Sequence, residues 1–147
     1  NALGFNITGY LNIGIGTNAG LSDATYGEDN ENSNTSIFIG PYTRPNLANS
    51  VNEIVIGYAA DGSGNNSITL GNTSITKTIL RSNVGIGTSS PSYPLDISGI
   101  ARISDVLILT PQSPLPSGKP TGSFAVSGSG ANCKPYFYNG TSWTSLF

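Results

Sequence analysis

Apolar residues recur along this chain in short packets: an apolar residue, a middle residue, then Ile or Leu, then Gly. The packets are Ile13-Gly14-Ile15-Gly16, Ile37-Phe38-Ile39-Gly40, Ile54-Val55-Ile56-Gly57, Ile68-Thr69-Leu70-Gly71 and Val84-Gly85-Ile86-Gly87. Leu3-Gly4 has the form of the end of an earlier copy. The closing glycines are spaced by 24, 17, 14 and 16 residues, which predicts one short strand, one turn and one return per repeat. Residues i and i+2 of a strand face the same way, so Ile54 and Ile56, or Ile68 and Leu70, are expected to point together into a core. Where the middle residue is also apolar, as Phe38 and Val55 are, both faces of the strand are expected to be covered. Gly16, Gly40, Gly57, Gly71 and Gly87 close each packet, where a tight corner requires a positive φ or a close approach of neighbouring chain. The longest step contains an insertion, Ser22 to Asn34, whose Asp23, Glu28, Asp29 and Glu31 stand among asparagines and predict a polar surface loop.

Residues 1–87 therefore form one region of Gly-closed β repeats, and after Gly87 the period lapses. Over 88–109, a Ser/Pro loop is followed by Leu95-Asp96-Ile97 and Ile100-Ala101-Arg102-Ile103 flanking Ser98-Gly99, which predicts a short β-hairpin. Residues 110–122 contain Pro111, Pro114, Pro116 and Pro120 and predict a stiff, extended linker. Residues 123–147 read as a small β module. Phe124 and Val126 alternate before a Gly128-Ser129-Gly130 turn, and Asn139-Gly140 predicts a two-residue hairpin with Tyr138 opposite Thr141 and Tyr136 opposite Trp143.

Composition changes the picture in one respect. Charged residues are only 10% of the chain, against about 25% in average soluble proteins. With a net charge of only −2 and evenly placed Ile, Val and Leu, the chain is expected to be ordered and all-β rather than disordered. Gly, Asn, Ser and Thr interrupt every window in which a helical stripe would have to run. Six basic residues against eight acidic ones leave no basic patch, so nucleic acid is not an expected partner. No apolar run approaches the ~20 residues that span a bilayer, so no membrane insertion is expected. The chain has no Met, so it is expected to be a piece of something longer. Cys133 stands alone and allows no disulfide within one chain. A coil of about 15 residues encloses too small a core to stand alone, so lateral partners are expected, and three chains about a common axis would supply them while hiding strand edges.

Two stretches resemble known families. Residues Ile54 to Gly71 resemble the head repeats of trimeric autotransporter adhesins of the YadA-like type. Residues Asn83 to Arg102, containing Val84-Gly85-Ile86-Gly87 and Leu95-Asp96-Ile97-Ser98-Gly99, resemble a segment near the distal end of bacteriophage and other viral tail or head fibres. The C-terminal Asn139-Gly140-Thr141-Ser142-Trp143 resembles the hairpins of small fibre-tip domains. The resemblance implies an elongated, interwoven homotrimer of β-solenoid or β-prism type, alongside other virion or fibre proteins, on a virion surface or otherwise extracellular, attached to a host cell-surface receptor. In many relatives a self-cleaving chaperone domain with a Ser and Lys dyad follows the matching segment, and residues 103–147 are not expected to form one. The alternatives are a purely structural spacer, a bacterial adhesin head, or a polysaccharide-degrading tailspike.

Candidate chemistry is sparse. With no His, the Ser-His-Asp and Cys-His arrangements are excluded, and no enzyme activity and no cofactor are expected. Eight carboxylates show no recognisable pair, although a tailspike places two within about 5 to 10 Å across chains. Gly14-Ile15-Gly16 and Gly85-Ile86-Gly87 lie inside the repeat packet and precede no helix, which sets them apart from phosphate loops. Asp23, Glu28, Asp29 and Glu31 offer oxygen ligands to Ca²⁺ but lack the EF-hand order, so no metal is expected. The Asn-x-Ser/Thr sequons at Asn6, Asn34, Asn65, Asn72 and Asn139 are expected by chance in so Asn-rich a chain. Tyr136, Tyr138 and Trp143 are the candidate receptor contacts, with a glycan among the receptors considered, because aromatics on one hairpin face combine apolar rings with polar edges; the competing role is a module core.

Overall fold

The computed structural model describes residues 1–129 and 132–146, so the Gly130 half of the expected turn and Phe147 lie outside the described residues. The chain divides into two compact units, Asn1–Arg81 and Ser82–Phe147, a boundary six residues before the Gly87 limit expected from the repeats. Both units are built from short β-strands, with no α-helix among the described residues.

In the first unit, β1 (Ile13–Ile15), β2 (Ile37–Ile39), β3 (Ile54–Ile56) and β4 (Ile68–Leu70) pair in chain order into one parallel sheet. The register is unbroken. Ile13, Ile37, Ile54 and Ile68 lie side by side, then Gly14, Phe38, Val55 and Thr69, then Ile15, Ile39, Ile56 and Leu70. Backbone bonds continue the pairing past the strands: Gly40 N–H donates to Ile15 O, Gly57 N–H to Ile39 O and Gly71 N–H to Ile56 O, at 2.7, 2.8 and 2.7 Å. The closing glycines sit directly over one another. A Cβ on Gly40 would lie 2.5 Å from Gly57 O, and one on Gly16 would lie 2.7 Å from the Gly40 carbonyl carbon, while both residues hold φ near +120°. Two further left-handed positions recur in each coil: Leu11, Thr35, Asn52 and Asn66, each two residues before a strand, and Asn18, Tyr42 and Ala59 just after one.

The strand faces meet the expectation that Phe38 and Val55 are covered but not the expectation that the flanking pairs form the core. The middle residues Phe38 and Val55 are fully buried and, with Ala19, Ala60 and Leu3, make the core. The flanking residues point away from it: Ile68 is 66% exposed and Leu70 58%. The interior of so short a coil has room for one central column, and Gly14 and Thr69 fill its narrow ends. Polar groups complete it. Ser36 and Glu53, each immediately before a strand, are fully buried. Glu53 accepts the N–H groups of Asn46 and Gly64 at 3.1 and 2.8 Å, so its carboxylate ties two turns together.

In the second unit, β5 (Val84–Ile86) and β6 (Leu95–Ile97) pair in parallel, with Ile86 beside Ile97. The expected hairpin over 95–103 is therefore not formed. Leu95–Ile97 is a strand, but its partner precedes it, and 100–103 has no strand structure, with Ile100 97% exposed. Antiparallel β7 (Phe124–Ser127), β8 (Lys134–Tyr138) and β9 (Trp143–Ser145) form a three-stranded sheet.

Candidate functional site

The expected tip contacts Tyr136, Tyr138 and Trp143 do share one face of the three-stranded sheet, but with a register two residues from the expected one. Tyr138 pairs with Trp143, and Tyr136 with Ser145. The loop is longer than Asn139-Gly140: Asn139 N–H donates to Ser142 O, and Asn139 Oδ1 accepts the N–H groups of Thr141 and Ser142 at 2.9 and 2.8 Å. The Asn side chain thus organises a four-residue turn in place of the two-residue one. The Tyr138 and Trp143 rings lie 5.2 Å apart at 51°.

This face is partly taken by the segment expected to be a free linker. Trp143 Nε1 donates to Pro116 O at 2.9 Å, Gln112 N–H to Val126 O at 2.9 Å and Gly122 N–H to Tyr138 O at 2.9 Å. Residues 110–122 are therefore bonded to the sheet: Pro116 supplies a carbonyl to the Trp143 indole, while Gln112 and Gly122 donate their own N–H groups to carbonyls of the sheet, as half-buried polar groups must find partners. Tyr136, Tyr138 and Trp143 are all half-buried. The more open face carries Phe124 and Phe137, which are cross-strand partners and 51% and 41% exposed. Sequence reasoning placed these two in the tip without ranking them first; strict alternation about Tyr136 and Tyr138 is the signal that sets Phe137 on the other face.

The second candidate surface is the insertion over 22–34, a surface loop as expected, with Glu28, Asp29 and Glu31 exposed, that is anchored by a few buried polar residues. Asp23, Asn30 and Ser33 are buried, and a one-residue antiparallel bridge, Ser22 to Asp29, pins the loop to itself. Asp23 Oδ1 accepts three backbone N–H groups, from Thr25, Tyr26 and Gly27, at 2.9, 2.6 and 3.1 Å. Asp23 Oδ2, Asn30 Oδ1 and Ser33 Oγ are buried without a hydrogen-bond partner. Two open cavities, of about 500 and 280 Å³, share Glu28, Asn32 and Ala48 as lining residues.

Among the described residues no three His, Cys, Asp or Glu side chains converge in the manner of a metal site. Asp61 is held by Arg44 through two bonds of 2.8 and 3.0 Å, and Glu53 by backbone. Gly14 and Gly85 lie within strands that no helix follows. Among the described residues no helix is long and apolar enough to cross a membrane. No family model matches the sequence, and comparison with curated proteins and with solved structures gives no match.

Proposed function

We propose that the chain is a non-catalytic segment of a homotrimeric, solenoid-type fibre that attaches to a host cell surface. One observation carries the assembly half: the in-register ladder of Ile13, Ile37, Ile54 and Ile68 beside Ile15, Ile39, Ile56 and Leu70, in which Ile13, Ile15, Ile68 and Leu70 are exposed and the four central residues only half-buried. Apolar residues scattered singly on a surface need no explanation, but a continuous two-wide ladder of eight marks a contact face. A flat ladder repeated identically from coil to coil fits a copy of itself, and closed rotational symmetry lets three such faces cover one another without leaving an open edge. The second unit adds an uncovered apolar run, with Ile100, Val106, Leu107 and Ile108 exposed.

Attachment is supported by the aromatic tip, where three copies on one fibre would gain avidity for repeated surface ligands. The exposed pair Phe124 and Phe137 joins Tyr136, Tyr138 and Trp143 as the tip's candidate contacts. The experiment is binding of the intact chain to host cells, with Tyr138→Ala and Phe137→Ala as variants. Either substitution is expected to lower cell binding about fivefold per site, and on the order of a hundredfold where all three sites engage together, while the trimer persists, since one aromatic contact contributes about 1 kcal/mol per site. Undiminished binding by both variants would remove the tip from the attachment role. A trimer that falls apart would assign these rings to packing instead.

A further inference from the structure

Among its many asparagines the chain has a single Asn-Gly step, Asn139-Gly140, and it has a single Asp-Gly step, Asp61-Gly62. Either can close a succinimide, since the nitrogen of the following residue attacks the side-chain carbonyl carbon and a glycine puts no side chain in the way. The structure separates the two. At Asp61 the carboxylate is held by Arg44 through bonds of 2.8 and 3.0 Å, and the Gly62 N–H that would have to attack donates to Arg44 O at 2.9 Å. That step is closed to the reaction. At Asn139 and Gly140 both residues are exposed, and among the described residues no acceptor takes the Gly140 N–H.

Three features of the turn between β8 and β9 favour reaction there. First, Asn139 Oδ1 accepts the N–H groups of Thr141 and Ser142 at 2.9 and 2.8 Å, one and two residues beyond Gly140, so the side chain is folded over the Gly140 peptide instead of reaching into solvent. Second, only an oxygen can accept two N–H donors, so these bonds leave Nδ2 outside them as the leaving group. Third, as nitrogen attacks Cγ the carbonyl electron pair moves onto Oδ1, and two backbone donors already stand at hydrogen-bond distance from the atom where that charge develops. The fold also holds the glycine in place: Gly140 has φ +98°, and a Cβ there would lie 2.6 Å from Thr121 Oγ1.

We propose that Asn139 is a self-modifying site. The Gly140 nitrogen loses its proton and bonds to Asn139 Cγ, the Cγ–Nδ2 bond breaks, and Nδ2 takes up a proton from solvent and leaves as ammonia, so that a cyclic succinimide remains. Water then opens the ring. Its attack at Cγ gives aspartate, and its attack at the backbone carbonyl gives isoaspartate, whose main chain runs through Cβ and is longer by one carbon. The sum is amide plus water to carboxylic acid plus ammonia, with no oxidant or reductant. The added carbon enters the turn that sets Tyr138 against Trp143, 5.2 Å apart, and that Asn139 N–H closes on Ser142 O at 3.1 Å. The ring pair is thereby uncoupled with age. This chemistry goes beyond the fibre reading and is measurable whether or not that reading holds.

The test is ageing of the full chain in neutral buffer, with a parallel sample in guanidinium chloride at the same pH, followed by peptic digestion and mass spectrometry of the peptides that span Asn139. Deamidation is expected at Asn139 before any other asparagine, about tenfold faster in the folded chain than in the unfolded one, with both aspartate and isoaspartate products and with no isomerisation at Asp61. Trp143 is the only tryptophan, so its emission is expected to drift as isoaspartate accumulates. Over the same interval it stays constant in Asn139→Asp, which keeps the Oδ1 acceptor and has no amide to lose. Deamidation no faster in the folded chain than in guanidinium chloride, or first at another asparagine, would overturn the site. A steady Trp143 emission in a converted chain would overturn the uncoupling of the ring pair.

Discussion

Phe38→Ala is expected to lower the stability of the first unit by about 3 to 5 kcal/mol, against a total of about 5 to 15 kcal/mol for a typical domain. Among the described residues Phe38 is the largest fully buried side chain, at the centre of the column that runs from Gly14 through Val55 to Thr69. Its ring packs close enough to Gly20 that a Cβ there would lie 2.7 Å from the ring. The cavity left behind cannot collapse, because the backbone on both sides is fixed by the parallel ladder and by Glu53, which ties the turns at Asn46 and Gly64. Few other residues share the load: Ala19, Val55 and Ala60 are the remaining buried hydrophobes of that core. Chemical denaturation followed by far-ultraviolet circular dichroism checks this, with Ile39→Ala beside it as a reference from the opposite strand face. A midpoint for Phe38→Ala no lower than that for Ile39→Ala would mean that the column is not what holds the coils together.

The contrast between those two positions also shows what the sequence makes legible. The five packets became β1 to β5 with the same bounds, since Ile, Val and Leu at alternate positions before a Gly are enough to place a three-residue strand. Which face turns inward was not legible. Period two fixes which residues share a face, and Ile-Phe-Ile and Ile-Val-Ile are apolar on both, so nothing in the strand itself marks the inside. The deciding fact is volume: a coil of this length has room for one column of side chains, and that column takes Gly14 and Thr69 as well as Phe38 and Val55. The left-handed residues Leu11, Thr35, Tyr42 and Ala59 were hidden for a different reason. Such residues disfavour positive φ, and they adopt it because the stacked hydrogen bonds on either side over-determine the turn.

Longer-range pairings were the least legible. Asn139-Gly140 marks a turn correctly, but the amide of Asn139 bonds two successive N–H groups and widens the loop to four residues, which moves Trp143 from Tyr136 to Tyr138. Leu95-Asp96-Ile97 found its partner backward in sequence, at Val84–Ile86, because a parallel pair buries both strands' backbone groups without a tight turn at Ser98-Gly99. In the insertion, composition gave a polar surface loop, and Glu28, Asp29 and Glu31 are exposed, but it did not mark Asp23, Asn30 and Ser33 as buried; Asp23 is drawn in by accepting three backbone N–H groups of its own loop.

The ladder of isoleucines leads to the other large effect. Ile56→Asp is expected to convert a stable trimer into a folded monomer. Ile56 lies on the outer face of β3 beside Ile39 and Leu70, away from the Phe38 and Val55 column, so the substitution leaves the chain's own core intact. In a trimer closed through this face the same position recurs three times. Each copy would then lose the roughly 1.5 to 3 kcal/mol of burying an isoleucine and carry an unpaired carboxylate into an apolar contact, which is costlier still. Asn65→Asp is the matched control: it adds the same charge in the adjoining turn, where an oxygen still accepts the Val51 N–H that Asn65 Oδ1 accepts at 2.8 Å. Light scattering coupled to size exclusion should give three times the 15.1 kDa of one chain for the parent protein and for Asn65→Asp, and a single chain for Ile56→Asp with its β-sheet spectrum retained. A parent chain that is already monomeric, or an Ile56→Asp variant that remains trimeric at equal thermal stability, would show that some other surface than the isoleucine ladder governs assembly, and the fibre would lose its principal support.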